Sequence, residues 1–526
     1  MDKNEQYLWH YVDKWAQSKP NAEAVIFKDT RMTWAQLAEA VDRTARAFLE
    51  IGVEKGDCIA MISMARPEFI IAFMAAAKVS AIWTGISPRF TTGEMGRILR
   101  DCRPSVLITL DRYEESNLLE RALTFSFGLS CIREIMTIGK STSDVLDFNA
   151  FIDKPRPELD QELKTRISSA CDEDEALLMY TSGSSGVPKG VLHSHKAILS
   201  NVEQEHRLFE IGSDSKILLH FPINHVAADV EIAFCALYAG ACIVMMDDFD
   251  PAKTVEIVDK EEITVLGQVP PMYLLEMRSG LFEKANWDSV KTFVWGGSPA
   301  TQDMLETLEI IRKRTGARLV TGYGATELGG FVTATAPKDT IKQLGIYAGK
   351  PYDNCELQIV DTARNPVPQG EIGEIAVRGP MLMKGYLNSP TLSSSVLDED
   401  GWYYTSDLGQ LDKNGALIIC GRRSEMFKTG GENVFPCEIE NVLEAHPAVL
   451  YSAVIAVPDP IFDEIAHAHV MVVPGAQVTT EELSNWCREN LAPFRVPRSI
   501  TIHSSLPLLA SGKVDKIRLR EIANDL

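Results

Sequence analysis

The sequence predicts an α/β protein with a large N-terminal domain of layered α/β sheets, a small β-rich unit within it, and a smaller α+β C-terminal domain. Helical patterns alternate with short apolar runs to about residue 350, turn-separated strands follow, and a second mixed segment comes last. Such alternation is typical of helices packed on a largely parallel sheet. A chain of 526 residues also exceeds what one hydrophobic core usually supports, so at least two domains are expected.

In the first 350 residues, periodic patterns predict helices at 34–49 and 93–99. The apolar run 69–77 predicts a buried helix, because a membrane span needs roughly 20 residues. Five short apolar runs predict strands at 106–109, 216–221, 263–266, 292–295 and 318–321. The last two run into glycine-rich turns, and in open α/β sheets ligands lie beyond the carboxyl ends of strands. These turns are therefore candidate walls of a site.

The later segments differ in pattern. Strand-like pieces divided by turn signals predict the β-rich unit at about 351–420. The last hundred residues predict helices at 436–444 and 480–490 and strands near 453–457, 467–473 and 499–503. The predicted domains are therefore 1–421 and 425–526, joined near 421–425.

Charge and cysteine content argue against several classes of protein. The net charge of −21 has the wrong sign for DNA, RNA or anionic lipid held by the overall field, so no nucleic acid partner is expected. The ten cysteines contain no CxxC pair and no histidines at zinc spacing, which predicts free thiols in a reducing cytoplasm. No signal-peptide pattern is present at the start, and a cytoplasmic location is expected.

The strongest local signal is the segment YTSGSSGVPKG at 180–190. Its glycines let the backbone approach a polyphosphate closely, while amide, hydroxyl and ammonium groups donate hydrogen bonds to it. A flexible surface loop is the alternative, but the segment follows an apolar run and contains Pro-Lys-Gly. It is not the GxxxxGK[ST] phosphate loop, because glycine follows the lysine. The candidate phosphate-binding residues are Thr181, Ser182, Gly183, Ser184, Ser185, Gly186 and Lys189.

Further motifs follow this segment in a fixed order: GYGATE at 322–327, GWYYTSDLG at 401–409, GR at 421–422 with KTGGEN at 428–433, and SGK at 511–513. Together they resemble the signatures of the adenylate-forming (AMP-binding) superfamily, and the resemblance extends over essentially the whole chain. It implies an acyl-CoA synthetase that uses ATP, Mg²⁺ and coenzyme A. A carboxylic acid would attack ATP to give an acyl-adenylate and pyrophosphate, and coenzyme A would then take the acyl group and release AMP.

The resemblance implies a catalytic role for Glu327, Thr326 and Lys513, and also for His225, which is described below. Glu327 would hold Mg²⁺ against ATP oxygens, and Thr326 would place a hydroxyl near the α-phosphate. Lys513 would bridge the attacking carboxylate and the α-phosphate, which offsets the repulsion between two anions. Taken singly, each would suit a solvated surface position.

The resemblance also implies contacts with the nucleoside. Tyr323 would offer an aromatic plane to adenine, Asp407 would accept hydrogen bonds from both ribose hydroxyls, and Arg422 would donate nearby. An ion pair at the surface is the plain alternative for the last two. Further nucleotide contacts are expected from Gly296, Gly297, Ser298, Gly322, Gly324 and Ala325.

His225 matches a position that borders the acyl pocket in relatives and positions the carboxylate, although a core histidine is an alternative. The pocket is expected to be lined by Val226, Gly297, Gly322 and Leu328 as well. The segments around them are mainly small and apolar and lack Arg or Lys, which favours an aromatic, alicyclic or medium-chain acid over a dicarboxylate. The Phe-Asp-x-Ser aspartate of amino-acid-activating domains is missing, so an α-amino acid is disfavoured.

The coenzyme A side is implied by the C-terminal motifs. Phe494, Arg495 and Arg498 suit an adenine that bears a phosphate, and Gly430 and Gly431 belong to the coenzyme A-ligase form of their motif. The C-terminal domain is expected to rotate about 421–425. Relatives pivot on Asp or Lys where this chain has Ser424, a departure that leaves the pivot residue open.

Three other functions are compatible with the motifs. A non-catalytic nucleotide or acyl-adenylate sensor would have no use for Lys513, an adenylating enzyme that loads a carrier protein would share all the motifs, and a luciferase-like oxygenase is hard to exclude. Homodimers are common among relatives, and a homodimer is one expectation here.

Overall fold

The computed structural model describes residues 6–142, 145–182, 188–473, 475–507 and 514–524. It has the mixed α/β architecture expected from the sequence, with a large N-terminal domain and a smaller C-terminal domain.

The first layer of the large domain is a seven-stranded sheet. Its strands pair in parallel, except for a hairpin formed by the last two. In sheet order they are Arg318–Thr321, Thr292–Trp295, Val265–Gln268, Lys216–Leu219, Cys242–Met245, Glu23–Phe27 and Thr30–Thr33.

The second layer is an eight-stranded sheet, parallel in its centre and antiparallel at one edge. In sheet order its strands are Gly385–Tyr386, Pro188–Ser194, Glu175–Ser182, Ile82–Ile86, Cys58–Ile62, Val106–Leu110, Glu134–Ile138 and Leu146–Asp147. The remaining short pairs of the large domain are Arg112–Tyr113 with Ser116–Asn117, Gly324–Ala325 with Gly330–Phe331, and Thr333–Ala334 with Lys350–Pro351.

Helices connect and cover these strands. The α-helices are His10–Ser18, Trp34–Glu50, Pro67–Lys78, Thr92–Cys102, Leu118–Ser126, Phe148–Ile152, Asp160–Ser169, His195–Leu208, Cys235–Ala239, Pro251–Glu261, Pro270–Arg278, Gln302–Thr315, Ile341–Leu344, Pro390–Val396, Pro436–Glu444, Thr480–Asn490 and Lys516–Asn524. A π-helix spans Ala227–Phe234, and 3₁₀ turns are present at Pro157–Leu159, Phe282–Lys284, Thr326–Leu328 and Pro493–Arg495.

Local sequence explains the two long N-terminal helices. Thr33 begins Trp34–Glu50 with a capping box, in which its hydroxyl accepts from the Gln36 amide while the Gln36 side chain accepts from the Thr33 amide. Helix Pro67–Lys78 begins with proline and is buried on every side, as the apolar run predicts. The structure contains no helix long and apolar enough to cross a membrane among the residues it describes.

The β-rich unit is a four-stranded antiparallel sheet made of Glu356–Val360, Gly373–Arg378, Tyr403–Leu411 and Leu417–Arg422. The C-terminal domain has its own sheet, with strands Glu432–Val434, Phe427–Thr429, Asp463–Val472, Val449–Asp459 and Ser499–His503. Its core is separate, formed around Phe427, Ile439 and Leu483. One edge also contacts the large domain, where Leu450 joins a core cluster of the seven-stranded sheet.

Candidate active site

The phosphate-loop motif lies between two antiparallel strands of the eight-stranded sheet, Glu175–Ser182 and Pro188–Ser194. Their register places Thr181 opposite Lys189, so the two ends of the loop lie together. The Lys189 ammonium stands 5.3 Å from the centroid of the Tyr386 ring. Gly183, Ser184, Ser185, Gly186 and the Ser182 side chain lie outside the described residues.

Glu327 lies in the 3₁₀ turn Thr326–Leu328, at the bend of the hairpin that pairs Gly324–Ala325 with Gly330–Phe331. Its carboxylate accepts a hydrogen bond of 2.9 Å from the Tyr386 hydroxyl. Burial and the Glu327 charge raise the pKa of Tyr386, so that hydroxyl keeps its proton and remains a donor. Lys189 and Glu327 therefore contact the same tyrosine, one at its ring and the other at its hydroxyl.

Thr326 is positioned through its backbone. Its carbonyl accepts a hydrogen bond of 2.7 Å from Nε2 of His193, which must carry the proton since a carbonyl only accepts. Burial lowers the pKa of His193 to about 4, so the ring is neutral near pH 7. The Thr326 hydroxyl makes no hydrogen bond to the part of the chain that the structure describes.

Asp407 connects the β-rich unit to the GYGATE hairpin. Its Oδ2 accepts from the Tyr323 hydroxyl at 2.7 Å, and its Oδ1 lies 3.2 Å from Nε of Arg422, the residue paired with it in the sheet. Tyr323 is only 5% exposed, and burial, followed by the Asp407 charge, raises its pKa. A carboxylate offers about four lone-pair positions, so these contacts leave room for ribose hydroxyls.

The two glycine-rich turns lie at the same edge, because Thr292–Trp295 and Arg318–Thr321 are parallel neighbours. A Cβ on Gly322 would stand 2.1 Å from the Thr333 carbonyl oxygen, and one on Gly296 would stand 2.6 Å from the Phe331 ring. Close packing of the hairpin therefore demands glycine at both positions. The other predicted turn residues differ in exposure: Gly297 and Ser298 are exposed, while Gly324 and Ala325 are half-buried in the hairpin.

These groups, Lys189, Thr326, Glu327, Asp407, Arg422 and Tyr323, are called the nucleotide half below. Mg²⁺ usually takes one or two protein carboxylates and draws its other ligands from phosphates and water. Glu327 is half-buried next to Thr326, and its carboxylate is a ligand of that kind.

His225 and Val226 lie at the start of the π-helix. The His225 ring stacks near Phe221, and its Nδ1 accepts from the Ala227 amide at 3.1 Å. Val226 is 6% exposed, and Leu328 is fully buried and shows no surface to a pocket in this structure. Long π-helical stretches are rare and are often found at functional sites.

Sequence reasoning missed two carboxyl groups, one on this helix and one on the neighbouring helix His195–Leu208. Glu205, on helix His195–Leu208, is fully buried, and its Oε1 accepts from the Phe331 amide at 2.9 Å. Glu231, on the π-helix, faces Glu205 and keeps part of its surface accessible. A Cβ on Gly330 would meet Glu205 Oε1 at 2.6 Å and Glu231 Cγ at 3.3 Å. These two acidic side chains are exceptions, at this end, among walls that the sequence predicts to be mainly small and apolar.

The acyl half below means His225, Val226, the π-helix, Gly330–Phe331 and Glu205. Glu231 lies in the segment 224–231 that the sequence predicts to line the pocket, and its acidic side chain is the signal that could have identified it. Glu205 gave none, because it lies in an ordinary amphipathic helix.

The predicted coenzyme A residues share one face of the C-terminal domain. Gly430 and Gly431 form the turn between Phe427–Thr429 and Glu432–Val434, and the Gly430 amide donates to the Phe462 carbonyl at 2.9 Å. The Arg498 guanidinium lies 4.9 Å from the centroid of the Phe462 ring.

The 3₁₀ turn Pro493–Arg495 packs against strand Glu432–Val434. Arg495 lies 5.2 Å from the Phe494 ring and forms a 3.2 Å ion pair with Glu438. Part of its charge is therefore already balanced by a carboxylate.

Ser424 is exposed in a turn between the β-rich sheet and the C-terminal sheet, where the Glu425 amide donates to the Arg422 carbonyl at 3.0 Å. Nearby, the Lys516 ammonium contacts Glu425 at 2.6 Å and Glu440 at 2.9 Å. Lys513 lies outside the described residues.

Comparison with known proteins matches both parts of the chain. The profile described as AMP-binding enzyme matches residues 12–387, and that of the AMP-binding enzyme C-terminal domain matches residues 438–513. A feruloyl-CoA synthase from an Amycolatopsis species is 30% identical over 505 residues, which are 96% of each chain. An indoleacetate–CoA ligase from Aromatoleum aromaticum is 30% identical, with 98% of each chain covered. A solved anthranilate CoA ligase with anthranoyl-AMP shares the fold, with a TM-score of 0.87, 24% identity, and 99% of this chain and 98% of that chain covered.

Proposed function

This chain belongs to the AMP-binding enzyme family, and from that premise we propose how its residues carry out the reaction of an acyl-CoA synthetase. The enzyme is an ATP-dependent acid–thiol ligase that forms an acyl-adenylate and transfers the acyl group to coenzyme A. The observation that carries the residue assignments is the joined nucleotide half, in which Asp407 contacts both Arg422 and Tyr323, and Tyr323 belongs to the same GYGATE motif as Glu327.

In the first step, the substrate carboxylate attacks the α-phosphorus of ATP and pyrophosphate leaves. Asp407 accepts from the ribose hydroxyls, the Thr326 hydroxyl donates at the α-phosphate, and Lys189 balances phosphate charge. Mg²⁺, held by Glu327, would neutralise charge on the phosphate oxygens. Lys513 would bridge the two reacting anions. Positioning and electrostatic stabilisation supply most of the acceleration in such transfers.

In the second step, the coenzyme A thiol attacks the acyl carbonyl and AMP leaves. The glycine turn at 430–431 gives a backbone that a pantetheine chain can approach, and Phe494, Arg495 and Arg498 would hold the nucleotide end. Rotation of the C-terminal domain about Ser424 would move Lys513 away from the reaction centre and bring these coenzyme A residues to it. Free coenzyme A is the proposed acceptor, and a carrier-protein thiol is the alternative.

The acid is proposed to be aromatic, alicyclic or medium-chain. Relatives at 30% identity are named for feruloyl and indoleacetyl groups, both of which are aromatic. The structure contains no lysine or arginine on the π-helix Ala227–Phe234 that would pair a second carboxylate.

The test is a screen of acids by pyrophosphate release, with and without coenzyme A. Release that depends on both acid and ATP, followed by thioester only when coenzyme A is present, is the expected result. Absent release with every acid would favour a non-catalytic sensor instead, and release that does not depend on the acid would contradict the adenylation of a carboxylic acid.

Separated half-reactions test the division of labour between the domains. Lys513→Ala should slow acyl-AMP formation by about 100-fold or more, since the bridging cation is gone, while thioester formation from supplied acyl-AMP stays near normal. Ser424→Pro should mainly slow the second step, because fixing φ restricts the turn. Equal slowing of both steps by Lys513→Ala would contradict the assignment.

A further inference from the structure

We propose that Glu231 determines the acid specificity of this enzyme by accepting a hydrogen bond from a hydroxyl or amino group on the substrate's acyl portion. The inference rests on the proposed function, and it narrows the substrate class to acids that carry such a donor. Three observations support it: the position of Glu231, the absence of a hydrogen bond from any described residue to its carboxyl group, and the hydrogen bonds that already engage the neighbouring carboxyl group of Glu205.

The position of Glu231 follows from the π-helix. Such a helix bonds i to i+5, so Glu231 lies one turn beyond Val226 on the same face. Its Cγ also lies against Gly330, which pairs with Ala325 next to Thr326. Glu231 therefore lies between the predicted acyl pocket and the hairpin that places the α-phosphate contact.

Space is available beside the next residue of this helix, Ile232. On the neighbouring strand Val265–Gln268, Gly267 is half-exposed, and a Cβ there would find only Ile232 Cδ1, at 4.0 Å. A glycine in the middle of a strand marks a place where a ligand or another chain approaches closely. Ile232 follows Glu231 on the helix and points in a different direction, so an acyl group against Gly267 would contact Ile232 at the border of the face that holds Val226 and Glu231.

Glu231 makes no hydrogen bond to any residue that the structure describes, and burial is the sole cause that raises its pKa, to about 7. Part of its side chain nevertheless remains accessible. A carboxyl group that protein surrounds but does not satisfy costs free energy, unless a ligand or water supplies donors. The accessible surface is where a substrate donor would meet it.

The neighbouring carboxyl group, Glu205, is less available as that acceptor. Both Glu205 oxygens are engaged, Oε1 by the Phe331 amide and Oε2 by the Cys235 thiol at 3.6 Å. Tyr352, whose buried hydroxyl has no hydrogen-bond partner among the described residues, lies near both glutamates. Glu231 is thus the carboxyl group of this cluster that is left for a ligand.

The experiment compares matched acids. The probes are the 4-hydroxy, 4-amino and 4-methyl derivatives of benzoic, phenylacetic and 3-phenylpropanoic acid, assayed by pyrophosphate release with coenzyme A. Wild type should prefer the hydroxy or amino acid over its methyl analogue by about 10-fold or more in kcat/KM, because the methyl group leaves the carboxyl unpaired. Glu231→Leu should reverse the preference, and Glu231→Gln, which keeps the shape, should reduce it several-fold.

Glu444→Gln is the matched control. Glu444 is also a carboxyl group whose pKa burial raises to about 7, but it accepts from the Ser452 amide in the C-terminal domain. Its replacement should leave the hydroxy-to-methyl ratio unchanged.

The outcomes separate the two claims. If the enzyme turns over these acids but Glu231→Leu and Glu231→Gln both leave the hydroxy-to-methyl ratio of kcat/KM within twofold of wild type, the specificity role alone is overturned. No pyrophosphate release with any acid overturns the proposed function, and the specificity role falls with it. A wild-type preference for the methyl acids also overturns the inference.

Discussion

In the nucleotide half, the charged side chains mostly contact other side chains, whereas the acyl half keeps polar groups without partners. Asp407 is bound on both oxygens, and Glu327 is bound by Tyr386. Among the described residues of the π-helix, Asp229 has two buried carboxyl oxygens without a partner, and Glu231 makes no hydrogen bond.

The difference suggests two ways of preparing a site. Side chains that hold one another keep their orientation before the ligand arrives, which suits the nucleotide because it is the same in every turnover. Unsatisfied groups cost free energy until a ligand satisfies them, and they penalise a ligand that lacks the matching group. That arrangement suits a half that must choose among acids.

The largest effect is expected in the nucleotide half, from Asp407→Ala. Losing a two-oxygen acceptor should weaken ATP binding by about 100-fold, since hydrogen bonds to charged groups contribute about 1.5–3 kcal/mol each. Calorimetry with ATP measures it. Asp412→Ala, in an exposed turn of the same sheet where Asp412 accepts from the Asn414 and Ala416 amides, is the control and should leave affinity unchanged. Unaltered ATP affinity in Asp407→Ala would remove the ribose role.

A smaller effect is expected from Glu327→Gln. Replacing a charged ligand by a neutral one should raise the Mg²⁺ concentration for half-maximal adenylation by about 10-fold. Tyr386→Phe should act the other way or not at all, because it removes the hydroxyl that occupies Glu327 Oε1 at 2.9 Å. A Mg²⁺ titration of pyrophosphate release checks both, and a wild-type response in Glu327→Gln would count against metal binding there.

The two halves also differ in how far the sequence predicted them. Strands at 292–295 and 318–321 and helices at 436–444 and 480–490 are confirmed to the residue, because short apolar runs or periodic patterns end at turn or capping residues. The predicted strand at 263–266 is shifted to Val265–Gln268, since the Thr264 side chain and backbone bind Lys216 before the ladder begins.

Glu205 and Glu231, in the acyl half, were not predicted from the sequence, for a physical reason. Sequence motifs consist of residues that act close together in the chain, such as those of the turn that places Thr326 and Glu327. The burial of Glu205 depends on the Phe331 amide, 126 positions later in the chain. The i to i+5 pattern of the π-helix likewise has no distinct apolar period that a helical pattern would reveal.

The smallest expected effect, a change of about 3- to 5-fold, is the pH dependence of acid selection. The titratable groups that face Glu231 are Glu205, Cys235 and Tyr352, and burial raises the pKa of each, so the Cys235 thiol and the Tyr352 hydroxyl stay protonated near pH 7. With its own pKa at about 7, Glu231 is mostly protonated at about pH 6 and mostly ionised at about pH 8.

A substrate donor stabilises the ionised form, so KM for a hydroxy acid should fall as pH rises from about 6 to 8, while KM for its methyl analogue should stay level or rise. The substrate carboxylates are ionised throughout this range and add no slope of their own. Glu231→Gln should flatten the hydroxy-acid profile, and Glu444→Gln should keep it. Parallel profiles for both acids in wild type would mean that the acyl half, like the nucleotide half, selects by shape and fixed contacts rather than through an unsatisfied carboxyl group.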